Sequence, residues 1–188
     1  RCISRGHMLE THPYQVHITG ERELHNTNIQ LIENKLHGKK TIRFAMISDT
    51  QRWYNSTEDV VKALNARGDI DFVIHGGDQS DFGVTKEFIW MRDIFNKFQM
   101  PYVCLLGNHD CLGTGEDAYR AIYGDPNFAF TAGNVRFICL NTNAMEYDYS
   151  EPVPDFNFIE NELNNLSPEI EKTVFAMGVI ASDCVVEI

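Results

Sequence analysis

Three short segments of this 188-residue chain carry side chains suited to holding cations. They are Asp49-Thr50-Gln51, Gly76-Gly77-Asp78 with Asp81 and Gly83 beyond it, and Gly107-Asn108-His109-Asp110. Asp49 and Asp78 lie 29 residues apart, and Asp78 and Asn108 lie 30 apart. Carboxylate, amide oxygen and imidazole donors together suit divalent ions of intermediate hardness such as Mn²⁺, Fe²⁺ or Zn²⁺. Gly76, Gly77 and Gly107 let the backbone turn sharply and approach a bound group closely. Taken singly, Asp49 also reads as a cap and Asn108 as a turn former. Their joint occurrence at a regular interval is what points to a cation site.

Each segment follows an apolar run that reads as a buried strand. Thr41–Ser48 (TIRFAMIS) is a near-continuous apolar stretch, the pattern of a strand covered on both faces. Phe72–His75 and Tyr102–Leu106 read the same way. Between them lie two helices. One starts around Ser56, with Ser56 and Asp59 in capping-box spacing and Gly68 as its stop. The other covers Thr85–Phe98 and would bury Phe88, Met91, Phe95 and Phe98. Strand–helix–strand–helix–strand order predicts a mostly parallel α/β sheet. Right-handed crossovers bring the C-terminal ends of its strands to one edge, where ligands bind in open sheets. Asp49, Asp78 and Asn108 are therefore expected to meet. His75, at the end of the second strand, is expected to pack in the sheet edge and not to act as a ligand.

Further along, Phe128–Thr131 and Val135–Leu140 flank Ala132-Gly133-Asn134 as a hairpin. Phe156, Ile159, Leu163 and Leu166 mark a last helix, and Thr173–Met177 a last core strand. Residues 1–40 read as a polar leader. Its histidines His7, His12, His17, His25 and His37 have no metal-ligand spacing and are expected to be solvated. Ile29, Ile32 and Leu36 give the leader one short amphipathic helix ending at Gly38.

Charge and cysteine content narrow the function. With 16 Lys and Arg against 27 Asp and Glu, the net charge is −11. That excludes a general nucleic-acid binder and docking on anionic lipid, but not a phosphate substrate reached through cations. No apolar stretch approaches the roughly 18 residues a membrane span needs. Five cysteines with no CxxC pair indicate neither a zinc ribbon nor a disulfide framework. Cys104 and Cys139 read as core thiols. Cys111 is not expected to act as a nucleophile with His109. Cys2 reads either as an incidental chain-end cysteine, the favoured reading, or as the lipid-bearing residue of a processed bacterial lipoprotein. The latter would place a soluble protein outside the cytoplasm; location is otherwise open.

The order of the three segments, each after a buried strand, resembles the calcineurin-like metallophosphoesterases. LLGNHD is the specific element and GGDQSDFG supports it. The resemblance runs from Thr41 to Cys111 and more loosely to Met177. It implies an α/β fold of two packed sheets flanked by helices, an α/β/β/α sandwich spanning 41–188. It also implies a phosphoric ester hydrolase with two divalent metal ions (Mn, Fe or Zn, with Mg a harder alternative). By resemblance, Asp49 binds one metal, Asp78 bridges both, and Asn108 binds the second. His109 stabilises or protonates the phosphate ester, Asp110 orients His109, and a metal-bound hydroxide attacks.

Two features depart from the family pattern. Gln51 stands where the family usually has histidine; it is expected to remain a ligand through its amide oxygen, making that site weaker or favouring a harder ion. The family also expects a histidine after the strand ending at Met177 and then a Gly-His-x-His pair, yet no histidine follows His109. Truncation, a missing internal segment after Met177, and divergence with loss of metals are the three explanations, the second being favoured. The second sheet is accordingly expected to be incomplete. The alternative function is a non-catalytic, metal-poor binding or scaffold protein on the same fold.

Overall fold

The computed structural model describes residues 12–143 and 153–178, and the backbone of 184–187. Cys2 and His7 lie outside the described residues, so the two readings of Cys2 are not addressed by it. Element order is α1 (Leu24–Leu36), β1 (Arg43–Ile47), α2 (Tyr54–Arg67), β2 (Phe72–His75), α3 (Thr85–Phe95), β3 (Tyr102–Cys104), a 3₁₀ turn (His109–Cys111), α4 (Gly115–Tyr123), β4 (Phe128–Ala132), β5 (Val135–Leu140), α5 (Phe156–Asn164), β6 (Lys172–Met177) and β7 (Cys184–Glu187). Among these helices none is long and apolar enough to cross a membrane.

The strands form two sheets, β3-β2-β1-β7 and β4-β5-β6. In the first, β1, β2 and β3 run parallel, and β7 pairs antiparallel with β1. Register places Ile47 beside His75 and His75 beside Cys104, so the three strands end together. The apolar runs are continuous because the sheet is covered on both sides. Ala45, Ile47, Val73 and Cys104 face a core shared with α2, α3 and α4. Their alternating neighbours Phe44, Phe72, Ile74 and Val103 face a core shared with the second sheet. Between the sheets, Phe44 stacks on Phe72 and Phe130 on Phe137, at centroid distances of 5.2 and 4.8 Å. Phe72 meets both Phe130 and Phe137 edge-on. Offset and edge-to-face pairs of this kind add about 0.5–1.5 kcal/mol each beyond area burial.

Several sequence expectations are corrected. Helix α2 starts at Tyr54, and the Ser56–Asp59 capping box does not form: the Thr57 hydroxyl donates to the Trp53 carbonyl, and Asp59 pairs with Lys62. Helix α4 is an element the sequence reading does not assign; Ala118, Tyr119, Ile122 and Tyr123 are all buried on one face of it. The strand-like tail, too short to form a second sheet, pairs as β7 with β1 of the first sheet. Helix α5 buries none of its residues, and Phe175 and Met177 of β6 are exposed. The second sheet thus has three strands among the described residues; on its outer side Ile138 and Leu140 are buried and Arg136 pairs with Glu162 of α5, while Phe175 and Met177 stay exposed.

The leader is not wholly solvated. Ile32 and Leu36 of α1 belong to the inter-sheet core, and Ile18 and Leu24 to the other. His25 is 3% exposed, against the expectation of a solvated ring. Its Nε2 accepts the Cys104 amide hydrogen at 3.2 Å, and its ring lies 4.0 Å from that of Phe128. Burial drives its pKa down from 6.5 to about 3. The ring is therefore neutral in the fold, while the unfolded chain binds a proton below pH ~6.5. Stability from this residue is complete above that pH and is lost as pH falls towards 3, at about 1.4 kcal/mol per pH unit. Urea unfolding across pH 7 to 4 should show His25→Gln, which keeps an acceptor for Cys104 but cannot titrate, with a shallower decline than the wild type. Parallel declines would disprove the assignment.

Candidate metal centre

The three motif segments leave the ends of β1, β2 and β3 and interlock through backbone hydrogen bonds. The Asp49 amide donates to the Gly77 carbonyl and the Gln51 amide to the Asp78 carbonyl, both at 3.1 Å. The His109 amide donates to Asp78 Oδ1 at 2.9 Å. His75 braces the same loops from beneath. Its Nδ1 accepts the Gly77 amide hydrogen, so its Nε2 carries the proton and donates to the Thr50 hydroxyl at 2.9 Å. Burial pushes His75 down to about 3, leaving it neutral, a packed strand-end residue as its sequence position suggests.

Ser48, Asp49, Gly76, Gly77, Asp78, Gly107, Asn108 and Gly178 line a cleft of about 110 Å³ at this edge. Asp49, Asp78 and Asn108 are thus brought together. Asp49 and Asp78 both sit in the left-handed backbone region, at φ 54° and 61°. For residues other than glycine that conformation costs roughly 1–2 kcal/mol, and it concentrates at sites where surrounding structure holds a side chain in place. A methyl group on Gly107 would lie 2.2 Å from both the amide nitrogen and Oδ1 of Asp78, so glycine is what permits the close approach. Gly178, just past β6, reaches the same cleft: a methyl group there would lie 2.7 Å from the Leu106 carbonyl oxygen. The strand after which the family pattern expects a histidine therefore arrives at the cleft carrying no side chain.

The electrostatics suit a cation. Burial raises the Asp78 carboxyl above its usual range; the His109 amide pulls it back, and the neighbouring Asp49 raises it again. The Ser48 hydroxyl donates to the Asp49 carboxylate. The Gln51 side-chain oxygen is buried with no hydrogen-bond partner among the described residues, although Gln51 does not line the cleft itself. A buried acceptor without a donor costs about 1–3 kcal/mol, and a cation would satisfy it. Among the described residues no three His, Cys, Asp or Glu side chains converge on a metal position. The available set is two carboxylates and two amide oxygens, which fits the harder divalent ions better than zinc. Gln51→Ala should weaken Mn²⁺ binding by at least about tenfold in calorimetric titration without lowering the melting temperature of the apoprotein. Unchanged metal affinity would remove Gln51 from the ligand set.

His109 and Asp110 behave differently from each other. His109 Nδ1 donates to the Asp81 carbonyl at 2.9 Å, leaving Nε2 without a protein partner among the described residues. That hydrogen bond raises its pKa, burial opposes it, and the carboxylates of Asp78, Asp81 and Asp110 add to the rise. The ring is a positively biased acid half open to solvent. Asp110 does not orient it. Its carboxylate, fully buried, accepts the amides of Asp78, Gln79, Ser80 and Gly107 at 2.8 to 3.1 Å, together with the Ser80 hydroxyl at 3.0 Å. Burial pushes Asp110 up to about 7, with the Ser80 and Gly107 amides pulling the other way. Its role is to tie the loop after β2 to the loop after β3. The neighbour of His109 is Asp81, to which sequence reasoning gave no role. Asp81 is buried, pairs with Arg52 Nη2 at 3.1 Å, and lies 3.8 Å from His109 Nδ1. Its three-residue offset from Asp78 was the available signal. Cys111 donates to the Gly107 carbonyl, and burial pushes its thiol up to about 12, which disfavours the thiolate.

A family model described as calcineurin-like phosphoesterase matches residues 42–178. Among solved structures, the purple acid phosphatase isolated from yellow lupin (Lupinus luteus) seeds is similar in fold, with a TM-score of 0.55 and 18% identity. The similarity covers 74% of this chain and 30% of that one, so the chain spans under a third of the phosphatase's length. No curated protein matches the chain.

Proposed function

Because the chain belongs to the calcineurin-like phosphoesterase family, we propose that it carries the metal-holding edge of a hydrolase of phosphate mono- or diesters. The observation that carries this reading is the meeting of Asp49, Asp78 and Asn108 at one cleft, with both aspartates held at positive φ. Asp49, Gln51, Asp78 and Asn108 would hold two divalent ions, Asp78 being the shared ligand because its carboxylate has two oxygens to offer. Such ions, when bound, neutralise phosphoryl charge and acidify water. The chain's own residues do the rest. His109, with Nδ1 fixed on the Asp81 carbonyl, presents a proton at Nε2 to the leaving oxygen. Asp81 favours the protonated ring and Arg52 neutralises Asp81. Asp110 keeps the two loops in register.

Hydrolysis of 4-nitrophenyl phosphate by the intact protein in Mn²⁺, Fe²⁺, Zn²⁺ or Mg²⁺ tests the reading; no turnover in any of them would defeat it. The second reading, a metal-poor binding protein, is favoured by the lack of three converging acidic, histidine or cysteine ligands among the described residues. Elemental analysis separates the two: about two equivalents of metal per chain support the hydrolase, and at most one weakly held ion supports the binder.

A further inference from the structure

Three of the four proposed ligands are each followed, four positions later, by a large exposed apolar residue. After Asp49 comes Trp53, after Asp78 comes Phe82, and after Asn108 comes Leu112. Their exposures are 65%, 57% and 46%. We propose that Trp53, Phe82 and Leu112 form an apolar rim at the cation cleft that receives a flat aromatic group carried by the phosphate ester. This rests on the hydrolase reading above and names its substrate class.

The three side chains belong to loops that are locked to one another. A methyl group on Gly83 would lie 1.8 Å from the Leu112 carbonyl oxygen, so the Phe82 and Leu112 segments are in van der Waals contact. Arg52, next to Trp53, reaches Asp81, next to Phe82, at 3.1 Å. Glu87 accepts the Phe82 amide, which fixes that residue at the start of α3. Trp53 lines a second cleft of about 190 Å³ together with Asp49 and Thr50. The three segments of the rim are therefore tied to one another, and Trp53 shares its cleft with Asp49, so the rim is not a set of scattered surface residues.

Its chemistry selects the occupant. The cleft itself is polar and small, and it suits a phosphoryl group. Beside it, as proposed, stand two aromatic side chains and one branched aliphatic, with the exposed guanidinium of Arg52, the residue before Trp53, paired to Asp81, the residue before Phe82. Aromatic faces and a guanidinium plane stack on flat rings of any kind, and each stacked ring is worth roughly tenfold or more in affinity. Trp53 and Phe82 have no such partner in the protein among the described residues, whereas Trp90 packs edge-on against Tyr54.

The intact protein should be compared on 1-naphthyl phosphate and glycerol phosphate. The preference for the naphthyl ester, as a ratio of kcat/KM, should fall on the order of tenfold in Trp53→Ala and again in Phe82→Ala. Binding is read separately from turnover. Trp53 and Trp90 are the two tryptophans, so in Trp90→Phe the fluorescence reports Trp53 alone. Titration with naphthyl phosphonate, which cannot be hydrolysed, should quench it saturably, and Phe82→Ala should weaken that quenching. An unchanged ratio in both variants, no quenching, or better turnover of a long-chain alkyl phosphate would overturn the proposal. Saturable quenching without hydrolysis of either ester would instead overturn the hydrolase reading and leave the rim standing.

Discussion

Asp78→Asn is expected to lower hydrolysis of an aryl phosphate by at least about 10³-fold, a loss of roughly 4 kcal/mol of transition-state stabilisation. The substitution is chosen for what it preserves. Asparagine tolerates the left-handed backbone that Asp78 adopts at φ 61°. Its side-chain oxygen can still accept the His109 amide hydrogen now donated to Asp78 Oδ1. What disappears is the negative charge and the second oxygen able to serve a second ion. In the metal-free protein that charge is a liability, since burial and Asp49 both raise the Asp78 carboxyl above its usual range. The apoprotein variant should therefore melt no lower than the wild type while binding Mn²⁺ far more weakly. Loss of activity with metal affinity intact would show that Asp78 is not the shared ligand. A lower melting temperature would show that it is a structural residue.

Asp110→Ala should do the opposite, costing stability first. The substitution strands the four amides of Asp78, Gln79, Ser80 and Gly107, together with the Ser80 hydroxyl, in a fully buried position. Leaving a buried charged network without one partner typically costs about 3–5 kcal/mol. For a chain of this size that is a fall on the order of 10 °C in melting temperature. Asp110→Asn should recover part of the loss, because one acceptor oxygen remains while its NH₂ faces donors. A cost under about 1 kcal/mol for the alanine variant, with the pH profile of hydrolysis shifted instead, would restore the orienting role towards His109 that the sequence suggests.

The contrast between these two aspartates marks where sequence reading stops. Both stand in motif loops, and both look like site residues. Asp78 was legible because its offset from Asp49 and Asn108, and the strand preceding each, place all three at one sheet edge whatever the details of packing. The function of Asp110 depends on where four backbone amides from two loops point, and no residue type encodes an amide direction. His109 shows the same limit: its partner is the carbonyl and carboxylate of Asp81, 28 residues away, and not the adjacent Asp110. His25 is a further case. Among polar neighbours it reads as solvated, yet it is enclosed by Phe128, Tyr119 and Tyr123, two of them on α4, for which the sequence pattern gives no clear signal.

The sequence by itself determined the elements whose signal is local or periodic. These are the apolar strand runs, the two crossover helices, the hairpin, the order of the three motif loops and the acidic charge that cations can answer. Alternation of Phe44, Ala45, Met46 and Ile47 between two cores is implicit in an unbroken apolar run. Tertiary structure alone decided what depends on contacts between distant segments. It placed the tail strand on β1 of the first sheet, and it drew α1 into the core. It left the Gln51 oxygen buried and unpaired, set Asp49 and Asp78 at positive φ, and left Trp53, Phe82 and Leu112 exposed. The physical reason is one of range. Burial pattern and backbone preference are fixed by neighbours along the chain, whereas hydrogen-bond partners and exposure are fixed by segments tens of residues away.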